Sequence, residues 1–168
     1  MANRPTWRLL DTGLRGAAEN MALDRTLLES HQEGSSPNTL RFLRFDPCVL
    51  VGFHQKVAHE VWEDFCAEQG IEVNRRITGG GTIYFDPLHL GWELYFDRSV
   101  FGTGDMAELS RHICQAAAQG LQRLGVDAHF RPRNDIEVGG RKISGTGGAF
   151  DSHEVLSWDL TVDDALIV

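Results

Sequence analysis

A run of three glycines behind two arginines is the first group of residues whose types and spacing could do chemistry. Gly79, Gly80 and Gly81 follow Arg75 and Arg76. Without side chains, glycines let backbone N–H groups approach a ligand closely, and such groups bind phosphate or carboxylate oxygens. The arginines add positive charge and fork-shaped donors. The segment therefore indicates an anion-binding loop, with a flexible hairpin carrying surface arginines as the open alternative.

The spacing of these glycines excludes two common nucleotide motifs. No Gly-Lys-Ser/Thr follows the run, so it is not a Walker loop. The glycines also lack the Rossmann spacing, and no helix is predicted to open on them.

Residues 133–148 form the second group. Asn134 and Asp135 precede the pair Gly139-Gly140, which tolerates the positive φ of a two-residue turn, and Lys142 follows that pair. A hairpin turning there places Asp135 and Lys142 on neighbouring strands. Asp135 could bind Mg²⁺, Asn134 could add an oxygen ligand or a donor, and Lys142 could neutralise a phosphate or polarise a carbonyl. The alternative is a surface Asp–Lys pair; the flanking glycines favour the functional interpretation.

The elements that must position these segments follow from the periodicity of apolar residues. Alternation bounded by turn residues predicts strands over 7–11, 39–45, 48–53, 71–74, 82–85, 90–96, 126–130 and 155–162, with 82–85 and 90–96 paired and a hairpin over 135–144. Apolar residues three and four apart predict helices over 17–31, 57–69 and 105–124. Val57, Val61 and Phe65 mark one face of the second helix, and Leu124 is predicted to point inward from the third. This order predicts an α+β fold with mixed, largely antiparallel sheets flanked by helices.

Composition excludes several classes of protein. The 168 residues fit one domain over 1–168, and the formal net charge of −8 argues against a broad nucleic-acid surface. Three widely spaced cysteines and seven histidines show no disulfide or metal spacing. Residues 1–7 lack the apolar core of a signal peptide, and no apolar run approaches the ~20 residues that span a bilayer. We therefore expect a cytoplasmic protein that binds neither nucleic acid nor membrane.

The two segments together resemble the signature of lipoate–protein ligases. The matching residues are Arg-Arg-x-Thr-Gly-Gly-Gly at 75–81 and Arg-Asn-Asp-Ile, then Gly-Arg-Lys-Ile-Ser-Gly-Thr, within 133–146. Residues 19–24 resemble the first-helix motif of that family, and residues 40–52 resemble its next strand pair. The resemblance covers nearly the whole chain in the same order. It implies the biotin/lipoate protein ligase catalytic domain, a fold similar to class II synthetases; the arginine-rich loop of biotin ligases is absent from the sequence.

The resemblance implies an ATP-dependent ligase. The carboxylate of lipoate (or octanoate) would attack the α-phosphate of ATP, and a lysine of a lipoyl-domain or glycine-cleavage-H-like acceptor would then attack the acyl-AMP. By motif match, Lys142 would be catalytic and Asp135 would hold Mg²⁺. The ATP and adenylate site would comprise Arg76, Gly79, Gly80, Gly81, Thr82, Ile83, Tyr84, Asn134 and Asp135. The lipoyl pocket would comprise Asn20, Met21, Leu23, Thr78 and Gly145.

Two other functions stay open. Related octanoyltransferases use a cysteine nucleophile and no ATP, and in one branch that cysteine comes shortly before the Gly-Arg-Lys-Ile segment. This chain has Arg131-Pro132-Arg133-Asn134-Asp135 there. A non-catalytic subunit that binds lipoyl domains is the third possibility.

Departures from the family pattern concern the acyl pocket and the end of the chain. Phe85 stands where the family often has His, and residues 157–160, Ser-Trp-Asp-Leu, stand where it often has His-Gly-Thr-Leu. The accessory C-terminal domain of many members has no counterpart in this sequence, so a separate accessory chain is a candidate partner. For the apolar residues 165–168 we expect either a chain that continues, in itself or in a partner, or a strand that ends the sheet.

Overall fold

Strands in two sheets alternate with helices along residues 6–151 and 155–163, which are the residues that this computed structural model describes; side chains are described for 6–149. The strands are β1 (Trp7–Arg15), β2 (Asn38–Phe45), β3 (Cys48–Val51), β4 (Glu72–Arg75), β5 (Ile83–Phe85), β6 (His89–Asp97), β7 (Ala128–Arg131), β8 (Asp135–Val138), β9 (Arg141–Asp151) and β10 (Val155–Asp163). The helices are α1 (Ala17–Gln32), α2 (Val57–Glu60), α3 (Glu63–Glu68) and α4 (Met106–Arg123), with a 3₁₀ turn at Arg98–Phe101.

The large sheet has the strand order β1-β2-β6-β10-β9-β8-β7, and the small sheet has the order β4-β3-β5. In each sheet one pair is parallel, β1 with β2 and β3 with β4, and the other pairs are antiparallel. The prediction of an α+β fold with mixed, largely antiparallel sheets is confirmed.

Three apolar clusters occur among the described residues, and the two larger ones pack the helices against the sheets. Helix α4 packs Leu109 and Ile113 against Leu94, Phe96 and other residues of the large sheet. A second core joins the start of α1 to β2 and the small sheet, and its buried members are Ala17, Leu43, Phe45, Cys48, Leu50 and Phe85. Each large apolar side chain buried in this way stabilises the fold by about 1.5–3 kcal/mol. The second core fixes the small sheet beside the large one.

The predicted start of the third helix at 105 and the predicted turn at Gly139-Gly140 are confirmed. The side chain of Asp105 accepts hydrogen bonds from the N–H groups of Ala107 and Glu108 at the start of α4. The hairpin between β8 and β9 turns at Gly139 and Gly140, whose φ angles are 55° and 76°. These features depend on neighbours in sequence, so local residue types are enough to predict them.

The prediction of one continuous helix over 57–69 is wrong. The chain forms α2 and α3 instead, with Val61 in extended conformation between them. No residue of α2 is buried, and Phe65 is 53% exposed. A helix of that length is stabilised chiefly by packing its apolar face, and these residues do not bury one.

The predicted pairing of the strands at 82–85 and 90–96 is also wrong. Strand β5 pairs with β3 in the small sheet, while β6 pairs with β2 and β10 in the large one. Alternation shows which residues share a face of a strand, but it does not select the partner strand. The turn between β5 and β6 therefore connects the two sheets.

Two further predictions concern the ends of elements. Leu124, predicted to point inward from α4, follows the last helical residue and is 81% exposed. Residues 165–168 lie outside the described residues.

Among the described helices, none has the combined length and apolar character needed to cross a membrane.

Candidate active site

A cavity of about 270 Å³ is lined by β5 of the small sheet and β9 of the large sheet. Its lining residues are Ile83, Tyr84, Phe85, His89, Lys142, Ile143, Ser144 and Gly145. Four of them, Ile83, Tyr84, Lys142 and Gly145, belong to the predicted site. The strand that follows the glycine run and the strand that carries Lys142 therefore meet at one cavity, although Gly79, Gly80 and Gly81 do not line it.

Lys142 lies at this cavity with its ammonium group held by a carboxylate. Its Nζ lies 2.8 Å from Asp135 Oδ1, and its side chain is half exposed. The side chain crosses over Gly145, where an added Cβ would lie 2.8 Å from Nζ and 2.9 Å from Cε. Gly145, predicted in the lipoyl pocket, thus provides the space that the Lys142 side chain occupies.

Asp135 is bound by two cations. Its Oδ2 lies 2.8 Å from Arg131 Nη2, in addition to the contact with Lys142. Partial burial raises the pKa of the Asp135 carboxyl, but hydrogen bonds from Lys142 and Arg131 outweigh burial and hold that pKa below its ordinary value. The carboxylate is therefore ionised at neutral pH and serves to orient the lysine.

The residues around Asp135 do not fit a preformed magnesium site. Both carboxylate oxygens face cations, and no group of three or more metal-binding side chains occurs among the described residues. Mg²⁺ prefers several oxygen ligands in octahedral geometry. The role of Asp135 as a metal ligand stays a prediction that these contacts do not support, and no chemical step below depends on it.

Hydrogen bonds from Arg76 hold the conformation of the glycine loop at residues 79–81. The guanidinium is buried and donates to the carbonyl oxygens of Leu50 (3.0 Å), Gly79 (2.8 Å from Nη2) and Gly81 (2.7 Å). Because these donors are directed at the backbone, the contacts give Arg76 the role of a clamp that sets the loop conformation. Direct contact of Arg76 with ATP stays a prediction.

A close approach of two glycines places the loop against the end of β3. A Cβ added to Gly52 would lie 2.0 Å from the carbonyl oxygen of Gly80, so no other residue fits at position 52 without moving the loop. Gly80 itself has a φ of 97°, which favours glycine. Thr82 then donates to Gln55 Oε1 at 3.0 Å and leads the chain into β5.

Asn134 braces the β7–β8 turn. Its side-chain amide donates to the carbonyl oxygen of Thr146, and its own carbonyl oxygen accepts from the Thr146 N–H and hydroxyl groups, both at 2.9 Å. These bonds fix the turn against β9, so the structure gives Asn134 a positioning role. A contact with the nucleotide stays a prediction.

The four remaining residues of the predicted lipoyl pocket lie away from the cavity of Lys142, and none of them lines it. Met21 packs against the second core, and Leu23 is half-buried. Thr78 is buried, and its hydroxyl has no hydrogen-bond partner among the described residues. Asn20 is fully buried. Their role in binding an acyl chain stays a prediction.

Asn20 is part of a buried charged cluster that the sequence analysis missed. Arg41 is fully buried and forms ion pairs with Asp24 and with Glu93 (3.0 Å for the latter), and it also donates to Asn20. Burial lowers the pKa of Arg41, but the two carboxylates outweigh it and raise that pKa overall. The signal was present in the alternation of β2, which gives Arg41 an inward position.

Phe85 and His89 were also missed as lining residues. Phe85 is buried and its ring lies 6.0 Å from the ring of His89, edge to face. The available signal was the departure from the family pattern at Phe85, with a histidine four positions later.

Comparison with known proteins places this chain in a family. The family model of the lipoyl protein ligase A/B catalytic domain matches residues 16–158. The chain belongs to this family, and the prediction made from its two motifs is confirmed.

Sequence relatives include both transferases and a ligase. The octanoyltransferase LipM of Kyrpidia tusciae is 36% identical over 151 residues, which cover 88% of this chain and 54% of that protein. The lipoate-protein ligase LplJ of Bacillus subtilis is 36% identical over 129 residues, covering 74% of this chain and 38% of that protein. The chain thus spans about half the length of the octanoyltransferases that it matches. These names favour the transferase alternative over the ATP-dependent ligase.

Solved structures confirm the fold. The protein Ta0514 of T. acidophilum, solved with bound lipoic acid, matches with a TM-score of 0.79 and 30% identity over 93% of this chain and 67% of that one. A lipoate-protein ligase A bound with ATP matches with a TM-score of 0.80 and 27% identity over 96% and 67% of the two chains. A bi-partite lipoate protein ligase of Thermoplasma acidophilum, studied with its E2 lipoyl domain, has a TM-score of 0.81 and 27% identity over 95% and 62%.

Proposed function

We propose that this chain transfers an octanoyl or lipoyl group to a lysine of a lipoyl-domain acceptor. The observation that carries the proposal is the cavity shared by β5 and Lys142, because it places an oriented ammonium group beside the strand that follows the glycine loop. Acyl transfer builds negative charge on the acyl oxygen and on the leaving group, and a fixed cation stabilises that charge. The names of the sequence relatives support the acyl group and the family of reactions.

Two routes to the activated acyl group differ in their need for a thiol. Octanoyltransferase relatives favour a direct transfer, which would need a cysteine nucleophile in this chain. All three cysteines of this chain are buried, and none lines the cavity of Lys142. Burial raises the pKa of the Cys48 thiol to about 12 and that of Cys114 to about 11, which disfavours the reactive thiolate. The local geometry therefore favours activation as an acyl-adenylate, with ATP as substrate.

In the adenylate route, the residues of this chain hold and orient the reactants. The amides of the glycine loop, kept in place by Arg76, would bind phosphate oxygens. Lys142 would lie between the phosphate and the acyl carbonyl. Its partner Asp135 keeps the ammonium group at the cavity until substrate replaces that contact.

Exchange of labelled pyrophosphate into ATP tests this route. We expect exchange that depends on lipoate or octanoate, and its loss in Lys142→Ala. Arg141→Ala is the matched control, because it removes a neighbouring exposed cation on the same strand and should retain exchange. Mass spectrometry of the protein after incubation with ATP and a panel of acids would identify a retained acyl-adenylate.

Single Cys→Ala variants at positions 48, 66 and 114 separate the two routes. We expect each variant to retain acyl transfer. Transfer from an acyl carrier protein without ATP, lost in one of these variants, would instead establish the thiol-dependent transferase. Tight binding of a lipoyl domain, without pyrophosphate exchange or acyl transfer, would indicate the non-catalytic subunit. Activity that appears only when an accessory chain is added would indicate a two-chain enzyme.

A further inference from the structure

Asp86 and His89 form a hydrogen-bonded pair beside the cavity that Lys142 lines. His89 Nδ1 lies 3.0 Å from Asp86 Oδ1, and His89 itself lines the cavity. The turn between them is fixed by the Leu88 N–H group, which donates to Asp86 Oδ1 at 2.9 Å, and by the His89 N–H group, which donates to the Asp86 carbonyl oxygen at 3.1 Å. The carboxylate is thus held in place to orient the imidazole.

The tautomer of His89 follows from these contacts. The Asp86 N–H group also approaches Nδ1, at 3.3 Å, but the contact with the carboxylate is shorter and charge-assisted. We therefore assign the Nδ1 proton to the bond with Asp86, which leaves the lone pair on Nε2. In residues 6–149, Nε2 has no hydrogen-bond partner, and the edge-to-face contact with Phe85 fixes the plane of the ring.

We propose that His89 Nε2 is the base that deprotonates the acceptor lysine, with Asp86 as its positioning residue. This inference rests on the proposed acyl transfer, whichever donor supplies the acyl group. An acceptor lysine arrives as an ammonium ion and has no lone pair with which to attack. Among the other titratable residues that line the cavity, Lys142 is bound to Asp135 and Tyr84 is a phenol, so His89 is the lining residue that presents a nitrogen lone pair to the cavity.

The step balances without any further reactant. His89 Nε2 takes one proton from the lysine ammonium, and the freed lone pair forms a C–N bond to the acyl carbon. The bond from that carbon to the leaving group breaks, and the leaving group departs with its electron pair. A second proton passes from nitrogen to solvent as the amide forms, and His89 returns its proton to solvent.

The test uses acyl-AMP supplied directly, so that it does not depend on the adenylation step that precedes transfer. Transfer from synthetic lipoyl-AMP to Nα-acetyl-lysine methylamide is measured for the wild type, His89→Asn and Asp86→Asn. We expect His89→Asn to slow transfer by about 100-fold, within the range of general base catalysis. Asp86→Asn should lower kcat by about tenfold with little change in KM, because it alters the orientation of the imidazole and not substrate binding.

Three comparisons distinguish a base from a structural residue. The control His129→Asn removes an exposed histidine that also lies beside an aspartate, at 2.9 Å, and should transfer at the wild-type rate. Transfer to hydroxylamine, which is unprotonated at the assay pH, should be much less impaired in His89→Asn than transfer to lysine. Added imidazole should restore part of the rate lost in His89→Ala, and the dependence of the rate on pH should change in His89→Asn.

Equal impairment towards hydroxylamine and lysine, or wild-type transfer by His89→Asn with an unchanged pH profile, would overturn the role of His89. If the wild type itself transferred nothing from lipoyl-AMP, the adenylate route of the proposed function would fail instead. The two failures are therefore distinguishable.

Discussion

At the scale of single residues, the site depends on a glycine, Gly145, as much as on the charged residues Lys142 and Asp135. Lys142 reaches the cavity by crossing Gly145, and Asp135 holds its ammonium group. The types of both charged residues were readable from the sequence. The contribution of Gly145 was not, because it depends on the path that a side chain takes above the strand.

Gly145→Ala should reduce acyl transfer by about tenfold, because the new Cβ would displace Lys142 Nζ from its position, a loss of about 1.4 kcal/mol of transition-state stabilisation. The end of a lysine side chain moves easily, so the melting temperature should change little. Gly147→Ala is the control on the same strand, since a Cβ there meets nothing within 4 Å among the described residues. Equal rates for the two variants would contradict this explanation.

At the scale of elements, the glycine loop is ordered by the segment that precedes it. Arg76 is linked to the carbonyl oxygens of Leu50, Gly79 and Gly81, so one guanidinium joins the loop to β3. The glycine run suggests exposed amides from its residue types alone, but the conformation of the loop is set by this buried arginine.

Arg76→Lys should make the loop more mobile and lower the free energy of unfolding by about 2–4 kcal/mol, because an ammonium cannot satisfy three separate carbonyl groups in the fork geometry. Hydrogen exchange of residues 76–82 should accelerate, and acyl transfer should fall. Arg25→Lys, at an exposed helical position, should change neither quantity. Unchanged exchange in the loop of Arg76→Lys would show that the clamp is not needed.

At the scale of the whole molecule, a buried charged cluster joins α1, β2 and β6. Arg41 contacts Asp24 of α1 and Glu93 of β6, and Tyr95 donates to Glu93 at 2.8 Å. Burial raises the pKa of Glu93 above its ordinary value, although Arg41 opposes that effect. The folded protein therefore holds the Glu93 proton more tightly than the unfolded chain does.

This raised pKa predicts how stability depends on pH. The contribution of Glu93 is complete below the unfolded pKa, about 4.3, and is lost as the pH rises through the higher folded value. The amide of Glu93→Gln does not ionise, so this variant keeps its stability where the wild type loses the Glu93 contribution. Its free energy of unfolding should therefore increase relative to that of the wild type as the pH rises from about 4 towards 7. Urea denaturation at several pH values measures the difference, with exposed Glu33→Gln as control. A difference that is constant with pH would contradict the assignment.

The sequence by itself determined most of the local elements, the family and the residues Ile83, Tyr84, Lys142 and Gly145 that line the cavity. Caps, turns and apolar periodicity depend on residues close together in the chain, and the motifs depend on residue order. Tertiary structure decided which sheet β5 joins, where the predicted helix over 57–69 breaks, and the contacts of Arg76, Arg41 and His89. Those outcomes arise from contacts between residues distant in sequence, and the free energy of such contacts is set by burial and partners that a single sequence does not specify.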